Sequence, residues 1–509
     1  MNLIKSTGTF SFFTLISRIS GYFRDFLIAI YLGAGPVADA FFVAFRIPNT
    51  FRRLFSEGTF NSAFVPSYKS ELIKGKKKGE KFANSVFNIL VISLLGIVFL
   101  IEIFMPLFVS IIAPGFRINS EKIELAILLT RITFPFLFLV SLSSFFSAIL
   151  NSHNKFAVAS ATPIILNIIL VLVLLFGKIL SDKLVFYLSY AVTFAGFVQL
   201  IFLIFFVKKY FVPKISFKLN FNKKIKLFFN KLFPSIFSSG VTQINILIGT
   251  IIASFQANAV SYLYYADRIY QINLAVAGIA IGTVLLPNLS KYVENKNITK
   301  INLIQNKSLE LSMFLSLPAT AALLVAPTEI TSALFGYGTF DKLSVQNTSL
   351  ALFYFALGMP AFAFIKVFSS FLFARHNTKV PFYFSIVSVL INISISLYFF
   401  SSVGFVIIPI ATTISSWINS FLLLFYLIKK NYFSFNETFI YKLFNISFLS
   451  ILSAFIFHQL IKYFYDFLIY ESNIKLLTIV FLVILTLLFY IIASLFTKAF
   501  KISDIKLKY

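Results

Sequence analysis

Polar and apolar positions alternate along this chain in long blocks. Apolar runs of roughly 18 residues or more recur over nearly the whole length, each long enough to cross about 30 Å of hydrocarbon as a helix. The breaks predict fourteen helical spans, at about 8–32, 36–68, 82–112, 122–151, 156–177, 183–207, 232–256, 259–291, 303–326, 343–374, 380–401, 404–428, 438–464 and 474–498. The short alternating segments of a membrane β-barrel are absent. The expected fold class is an all-α polytopic membrane protein. Several spans are longer than a bilayer needs and contain proline: Pro48 and Pro66 in the second, Pro135 in the fourth, Pro360 in the tenth. Proline removes a backbone donor and kinks a helix. Kinked, overlong spans are common where helices bend around an internal cavity.

The chain also resembles itself. "VAFRI" at 43–47 matches "YADRI" at 265–269, a displacement of 222 (265 minus 43). "SSFFSAILNSHNKFA" at 143–157 matches "SSFLFARHNTKVP" at 369–381, with "HN" displaced by 223 (376 minus 153). Pro135 and Pro360, and Asn167 and Asn392, keep similar spacing. Each unit holds six helices. An even number starts both units on the same side, so the repeat is parallel, with a pseudo-twofold axis along the membrane normal. The expected organisation is an N-terminal six-helix lobe at 1–213, an amphipathic cytoplasmic linker at 214–231, a second six-helix lobe at 232–430, and two extra helices at 431–509. Two lobes around a central cavity provide a route to alternating access.

Charge changes the picture further. The chain is 59% hydrophobic and only 12% charged, where a soluble domain has about 25% charged residues. Its net charge is nevertheless +26. The lysines gather in particular loops, at 69–81, 208–231, 291–300, 429–433 and 498–509, while the intervening loops are poor in Lys and Arg. That alternation is the positive-inside pattern and predicts both termini in the cytoplasm. Nucleic acid is not an expected partner, because no basic stretch interleaves with stacking aromatics in a soluble module. The absence of cysteine excludes a disulfide framework and thiol chemistry. The first helix is expected to be retained, since Arg18 interrupts its apolar stretch and no small-residue cleavage site follows.

The first two spans carry Arg18, Arg24, Asp25, Asp39, Arg46, Arg52, Arg53 and Glu57. A charge at the bilayer centre costs about 2.5–3.5 kcal/mol on insertion scales. Such residues usually face inward and act. Pairing explains some of them: Arg53 and Glu57 are four apart on one helix face, and Asp39 and Arg46 are seven apart. Arg24 and Asp25 are adjacent and are not expected to face each other. Arg268, beside Asp267, sits in the matching span of the second lobe. A surplus of arginine calls for an anionic partner, and the planar guanidinium suits bidentate phosphate or carboxylate. No nucleotide fingerprint appears, so a lipid-linked phosphate headgroup fits a membrane cavity better. Lys366 is a further candidate for the cavity lining. Arg131 is expected near a span end, His153 and His376 in solvated turns, and the many phenylalanines against lipid.

At "SRISGYFRD", "DAFFVAFRIPNTFRRLFSEGTFNSAFVPSY", "YYADRIYQINLAVAGIAIGTVLLPNLSK" and "ILNSHNKFAVASATPIILN" the chain resembles the MurJ (MviN) family, the lipid II flippases of bacterial peptidoglycan assembly. The superfamily also holds multidrug exporters and oligosaccharide-lipid flippases. The resemblance covers nearly the whole chain. It implies movement of undecaprenyl-diphosphate-linked disaccharide-pentapeptide between the leaflets of the bacterial cytoplasmic membrane. It implies substrate contact by Arg18, Arg24, Arg52, Arg268 and Asp39, with Asp25, Glu57, Arg53, Arg46 and Asp267 in support. The two extra helices would form a groove for the lipid tail. Expected partners are lipid II and membrane lipids, with the cell-wall synthesis machinery as a further candidate. Some members hold sodium with acids and amides in the seventh, eleventh and twelfth spans. Here those spans contain no Asp or Glu, and Gln243, Asn245 and Asn392 are the comparable amides. No metal or cofactor is expected, and the cycle is expected to be coupled to membrane potential or to an ion, with a sodium site not favoured. Alternatives are a flippase for another polyprenyl-linked glycan, a multidrug exporter, or a structural membrane protein. An enzyme is not expected, since no nucleophile or acid–base pair stands out.

Overall fold

The computed structural model describes the backbone of residues 3–56, 59–180, 183–216, 222–274 and 280–500. Within these, the side chains of 3–11, 51–56, 59, 233–239, 272–274, 280–284 and a few single positions lie outside the description. Among the described residues the regular structure is helical throughout. The chain divides into two compact units, residues 1–261 and 262–509.

The first unit contains α1 (Leu3–Leu32), α2 (Pro36–Ser56), α3 (Thr59–Ile73), α4 (Lys76–Ile103), α5 (Met105–Ile112), α6 (Ser120–Thr133), α7 (Phe136–Ser152), α8 (Phe156–Leu175), α9 (Gly177–Leu180), α10 (Leu184–Val207) and α11 (Lys223–Ala253); α12 (Ala259–Leu274) begins in it. The second unit continues with α13 (Ala280–Glu294), α14 (Ile298–Val325), α15 (Pro327–Phe335), α16 (Lys342–Phe373), α17 (Lys379–Val403), α18 (Ile407–Lys429), α19 (Glu437–Tyr463), α20 (Tyr465–Leu468) and α21 (Lys475–Phe496). Each expected span has a helix or a consecutive helix pair. Pro135 separates α6 from α7, whereas Pro48 and Pro360 lie inside α2 and α16. Nine helical stretches among the described residues are long and apolar enough to cross a membrane. α2 falls short of that measure through its own charge, from Asp39, Arg46, Arg52 and Arg53.

The two units repeat one packing pattern. In the first, α7 and α8 both lie against α10, and α4 against α7. In the second, α16 and α17 both lie against α18, and α14 against α16. The turns after α7 and α16 close alike, through Asn154 (φ 60°) and His376 (φ 57°), with Lys155 N–H bonded to Leu150 O (2.8 Å) and Asn377 N–H to Leu372 O (3.0 Å). This register is 222 (376 minus 154), equal to that of the arginine motifs. The "HN" match is therefore one residue out of step, because the left-handed turn position, not the residue name, is repeated.

Three further differences from the sequence reading have clear causes. Phenylalanines expected against lipid instead build the core of the first unit: Phe60, Phe64, Phe82, Phe87, Phe145, Phe146 and Phe228 are all buried. Residues 60, 64 and 68 fall on one face of α3, which lies against α4, α7 and α11. His153 is half-buried, stacked on Tyr210 at 4.4 Å, with burial pushing its imidazole below the ordinary range. The basic–aromatic segment before the seventh span is helical from Lys223, capped by Asn222, and Ile225 and Phe228 enter the core. Lys224 and Lys74 both pair with Glu71, whose carboxyl their hydrogen bonds hold below its usual range.

Asparagines tie down the connections that leave each set of six spans. Asn88 donates to Lys214 O (3.1 Å) and accepts from Ser216 N–H (3.0 Å). Asn306 makes the same pair of bonds to Ser434 O (3.0 Å) and Asn436 N–H (3.2 Å). One amide thus satisfies two backbone groups of an extended strand of chain, as a sheet neighbour would.

The C-terminal helices join the second unit through a buried cation that the apolar reading of the last span passed over. Lys475, at the start of α21, is 1% exposed. Its ammonium donates to Gly336 O (2.6 Å) and to Tyr470 O, and lies over the rings of Tyr337 (4.3 Å) and Tyr470 (4.5 Å). Tyr470 in turn donates to Phe340 O at 2.8 Å. Leaving a buried acceptor without a donor costs about 1–3 kcal/mol. Lys475→Met should therefore lower the melting temperature of the purified protein in detergent. Lys342→Ala, which removes an exposed pair with Glu471, should leave it within error. Equal melting for all three proteins would refute the role of the Lys475 contacts.

Candidate functional site

The charged residues of the first helices form separate clusters. Arg24 and Asp25 sit in the last third of α1, 6% and 2% exposed. Arg24 donates through Nε (2.9 Å) and Nη2 (2.6 Å) to Asp25 Oδ1, and through Nη1 (2.8 Å) to Asn167 Oδ1 on α8. The guanidinium also lies 5.7 Å from the Phe45 ring. The expectation that adjacent Arg24 and Asp25 cannot meet is corrected here. Their Cβ atoms point about 100° apart on a helix, but the long arginine stem curls back so that its fork reaches the short carboxylate. α1 and α8 pack along each other and close over the pair.

Asp39, near the start of α2, is fully buried. Its Oδ2 accepts from Lys122 Nζ at 2.6 Å, and its Oδ1 from Ser261 N–H (2.8 Å) and Ser261 Oγ (2.5 Å). Lys122 lies at the start of α6, over the Phe116 ring at 4.1 Å. Ser261 lies in the first turn of α12, where the carboxylate meets unpaired helix N–H groups and the positive end of the helix dipole. Beside this junction Gly115 approaches the end of α11 so closely that a Cβ would stand 2.3 Å from Ser254 O. The expected Asp39–Arg46 pairing does not form, since Asp39 is met by Lys122 and Ser261. Two helical turns separate the two residues, about 10 Å along the axis, and nearer partners win. Arg46, half-buried, donates to Thr250 Oγ1 on α11.

Arg18 is exposed on α1. In the second unit Arg268 on α12 donates through Nη2 to Tyr264 Oη (3.1 Å) and lies over that ring at 4.7 Å. Asp267 accepts from Gln271 Nε2. The side chains of Arg52, Arg53 and Glu57 lie outside the described residues. Lys366 and Arg131 are exposed. Asn392 on α17 donates to Thr412 Oγ1 on α18 (3.0 Å) and accepts from Ser396 Oγ (3.1 Å).

A family model described as lipid II flippase MurJ matches residues 28–481. The chain belongs to the MurJ family. A probable lipid II flippase MurJ of Rickettsia prowazekii (strain Madrid E) is 36% identical over 435 residues, covering 85% of each chain. One of Rhizobium meliloti (strain 1021) is 40% identical over 429 residues, covering 83% of this chain and 80% of that protein. A solved structure of lipid II flippase MurJ in an inward closed conformation superposes with a TM-score of 0.82 at 26% identity, covering 96% of this chain and 98% of that one. An inward-facing multidrug transporter of the MATE family superposes with a TM-score of 0.64 at 15% identity, covering 80% of this chain and 93% of that one, a likeness of fold alone. With its apolar helices, membership of the MurJ family makes this a multi-pass membrane transporter.

Two participants of these clusters were missed or misread. Lys122 stands at the first position of an expected span, where a lysine reads as snorkelling to the surface. The missed signal is depth: Asp39, Lys122 and Ser261 all follow lysine-poor loops and open their helices. Asn167 registered only as a repeat landmark. Removing Lys122 would leave a buried carboxylate unpaired, a loss of about 3–5 kcal/mol. Lys122→Met should therefore destabilise the purified protein strongly, and Lys122→Met with Asp39→Asn should recover most of the loss. Thermal unfolding of the three proteins checks this. A double variant as unstable as Lys122→Met alone would show that packing, not pairing, is what fails.

Proposed function

We propose that this chain moves lipid II, the undecaprenyl-diphosphate-linked disaccharide-pentapeptide, from the inner to the outer leaflet of the cytoplasmic membrane by alternating access. One observation carries the reading: a member of the MurJ family keeps arginine inside its first membrane helices, with Arg24 held in a defined orientation. An arginine surplus in an apolar setting needs an anion, and a diphosphate supplies two phosphates for bidentate pairing. Arg18, Arg24, Arg52 and Arg268 take the headgroup; Asp39, expected to contact it too, is fully buried against Lys122 and Ser261 and instead ties α2 to its neighbours. Asp25, Glu57, Arg53, Arg46 and Asp267 support the site and its gating helices. The lobes that alternate are residues 1–213 and 232–430, joined by 214–231.

The lipid tail stays in hydrocarbon while the headgroup crosses, guided by a groove on residues 431–509. In favour of that role, α19 and α21 carry no Lys, Arg, Asp or Glu between 443 and 461 or between 476 and 497. Membrane potential drives the cycle, one charge through 100 mV being worth about 2.3 kcal/mol. Both termini and the lysine-rich loops lie in the cytoplasm, and the cell-wall synthesis machinery receives the product outside.

Two experiments test the reading. The triple variant Arg24→Ala, Arg52→Ala, Arg268→Ala should reach the membrane yet fail to rescue a flippase-depleted bacterium, and lysine at these positions should rescue poorly. A fully active triple variant would sink the assignment. For orientation, a cysteine placed within 75–79 should label only from the cytoplasmic side and one at Gly35 only from outside. The chain has no native cysteine to confuse the result, and the opposite labelling would invert the proposed topology.

A further inference from the structure

We infer that Asn167 is a positioning residue for the Arg24 guanidinium, fixing which of its N–H groups are left to meet an anionic headgroup. The inference rests on the reading that Arg24 contacts lipid II.

A guanidinium offers five N–H donors in one plane. Asp25 takes two of them on a single oxygen, through Nε and Nη2. That contact alone leaves the plane free to swing, because the arginine stem and the aspartate belong to the same helix. Asn167 adds a second anchor on another helix. Its Oδ1 accepts from Arg24 Nη1 at 2.8 Å. Its Nδ2 donates back to α1, to Ser17 O at 2.9 Å and Ser20 Oγ at 3.2 Å. These bonds fix the amide's orientation: flipped, it would set N–H against N–H at the arginine and oxygen against oxygen at Ser17. Asn167 is 6% exposed, so its bonds face little competition from solvent. Three of the five donors are thus committed. One N–H remains on each terminal nitrogen, the number a phosphate takes in a bidentate pair.

The second unit supplies a contrast. Asn392 holds a comparable place in the repeat, and its bonds run to the hydroxyls of Thr412 and Ser396. The bare structural task of joining two helices is done there without an arginine. In the first unit the asparagine spends its acceptor on the guanidinium instead.

A double-mutant cycle separates positioning from packing. Full-length protein in lipid nanodiscs is titrated with lipid II for wild type, Asn167→Leu, Arg24→Ala and the double variant. Asn167→Leu should bind about ten-fold more weakly, the effect of losing one hydrogen bond to a charged group. Arg24→Ala should bind more weakly still. The double variant should match Arg24→Ala, because Asn167 then has nothing to position. Asn167→Ala removes the same acceptor and serves in the same cycle should the leucine variant not yield monodisperse protein. Wild-type affinity in the Asn167 variant, or an additive further loss in the double variant, overturns the inference. Wild-type affinity in Arg24→Ala would instead overturn the assignment of Arg24 to the headgroup, and the two failures are read from different arms.

Discussion

A charge placed in an apolar bundle must find its partner within hydrogen-bond reach, because no water stands by to replace it. That constraint decides much of how the first unit of this chain is put together. Asp39 draws α2, α6 and the first turn of α12 to one point, since Lys122 and Ser261 are what satisfy its two oxygens. Arg24 draws α8 onto α1 through Asn167. Arg46 reaches α11 through Thr250. Apolar contact alone would let these helices slide, as lipid and leucine offer each other nearly equal surroundings. The polar contacts set depth and rotation, and apolar packing fills in around them.

The fold was largely legible in the sequence because its two main signals are redundant. Apolar length marked each span, and lysine placement marked the loops. Boundaries failed where neither signal reaches. Each long span reads as a single helix, but Pro135 separates α6 from α7 while Pro48 and Pro360 lie inside the unbroken helices α2 and α16. The difference lies in whether neighbouring packing tolerates the lost hydrogen bond, which no window on one helix reports. The phenylalanines of α3 were misjudged for a related reason. Phe60 and Phe64 look no different in composition from lipid-facing residues, and only the arrival of α4, α7 and α11 around them makes that face a core.

The candidate site was legible in kind and not in pairing. Arginines within spans stood out, and so did their acids. Partner choice was harder, because pairing along one helix was the only geometry the sequence could offer. Asp39 with Arg46 satisfied that rule and does not occur; Arg24 with Asp25 broke it and does. The partners that matter, Lys122 and Asn167, come from distant helices. Each looked ordinary in its own segment, one as a surface lysine and the other as a repeated amide.

These pairings bear on how charge is shared across the proposed headgroup site. Arg24 and Asp25 together are close to neutral, so under the proposed function what they would offer a diphosphate is directional: two N–H groups held in a set plane. Asp39 and Lys122 likewise cancel, and their role is to hold three helix starts together. Attraction over distance must then come from arginines without such a close carboxylate. Arg18, exposed six residues before Arg24 on α1, is the clearest of these in the first unit. A site built this way separates two tasks that a single free arginine would combine. One set of charges, left exposed, draws the anion in. Another, neutralised and fixed by neighbours, offers its hydrogen bonds only to a group of the right shape, which is the cheaper way to select a headgroup without holding it too tightly to release.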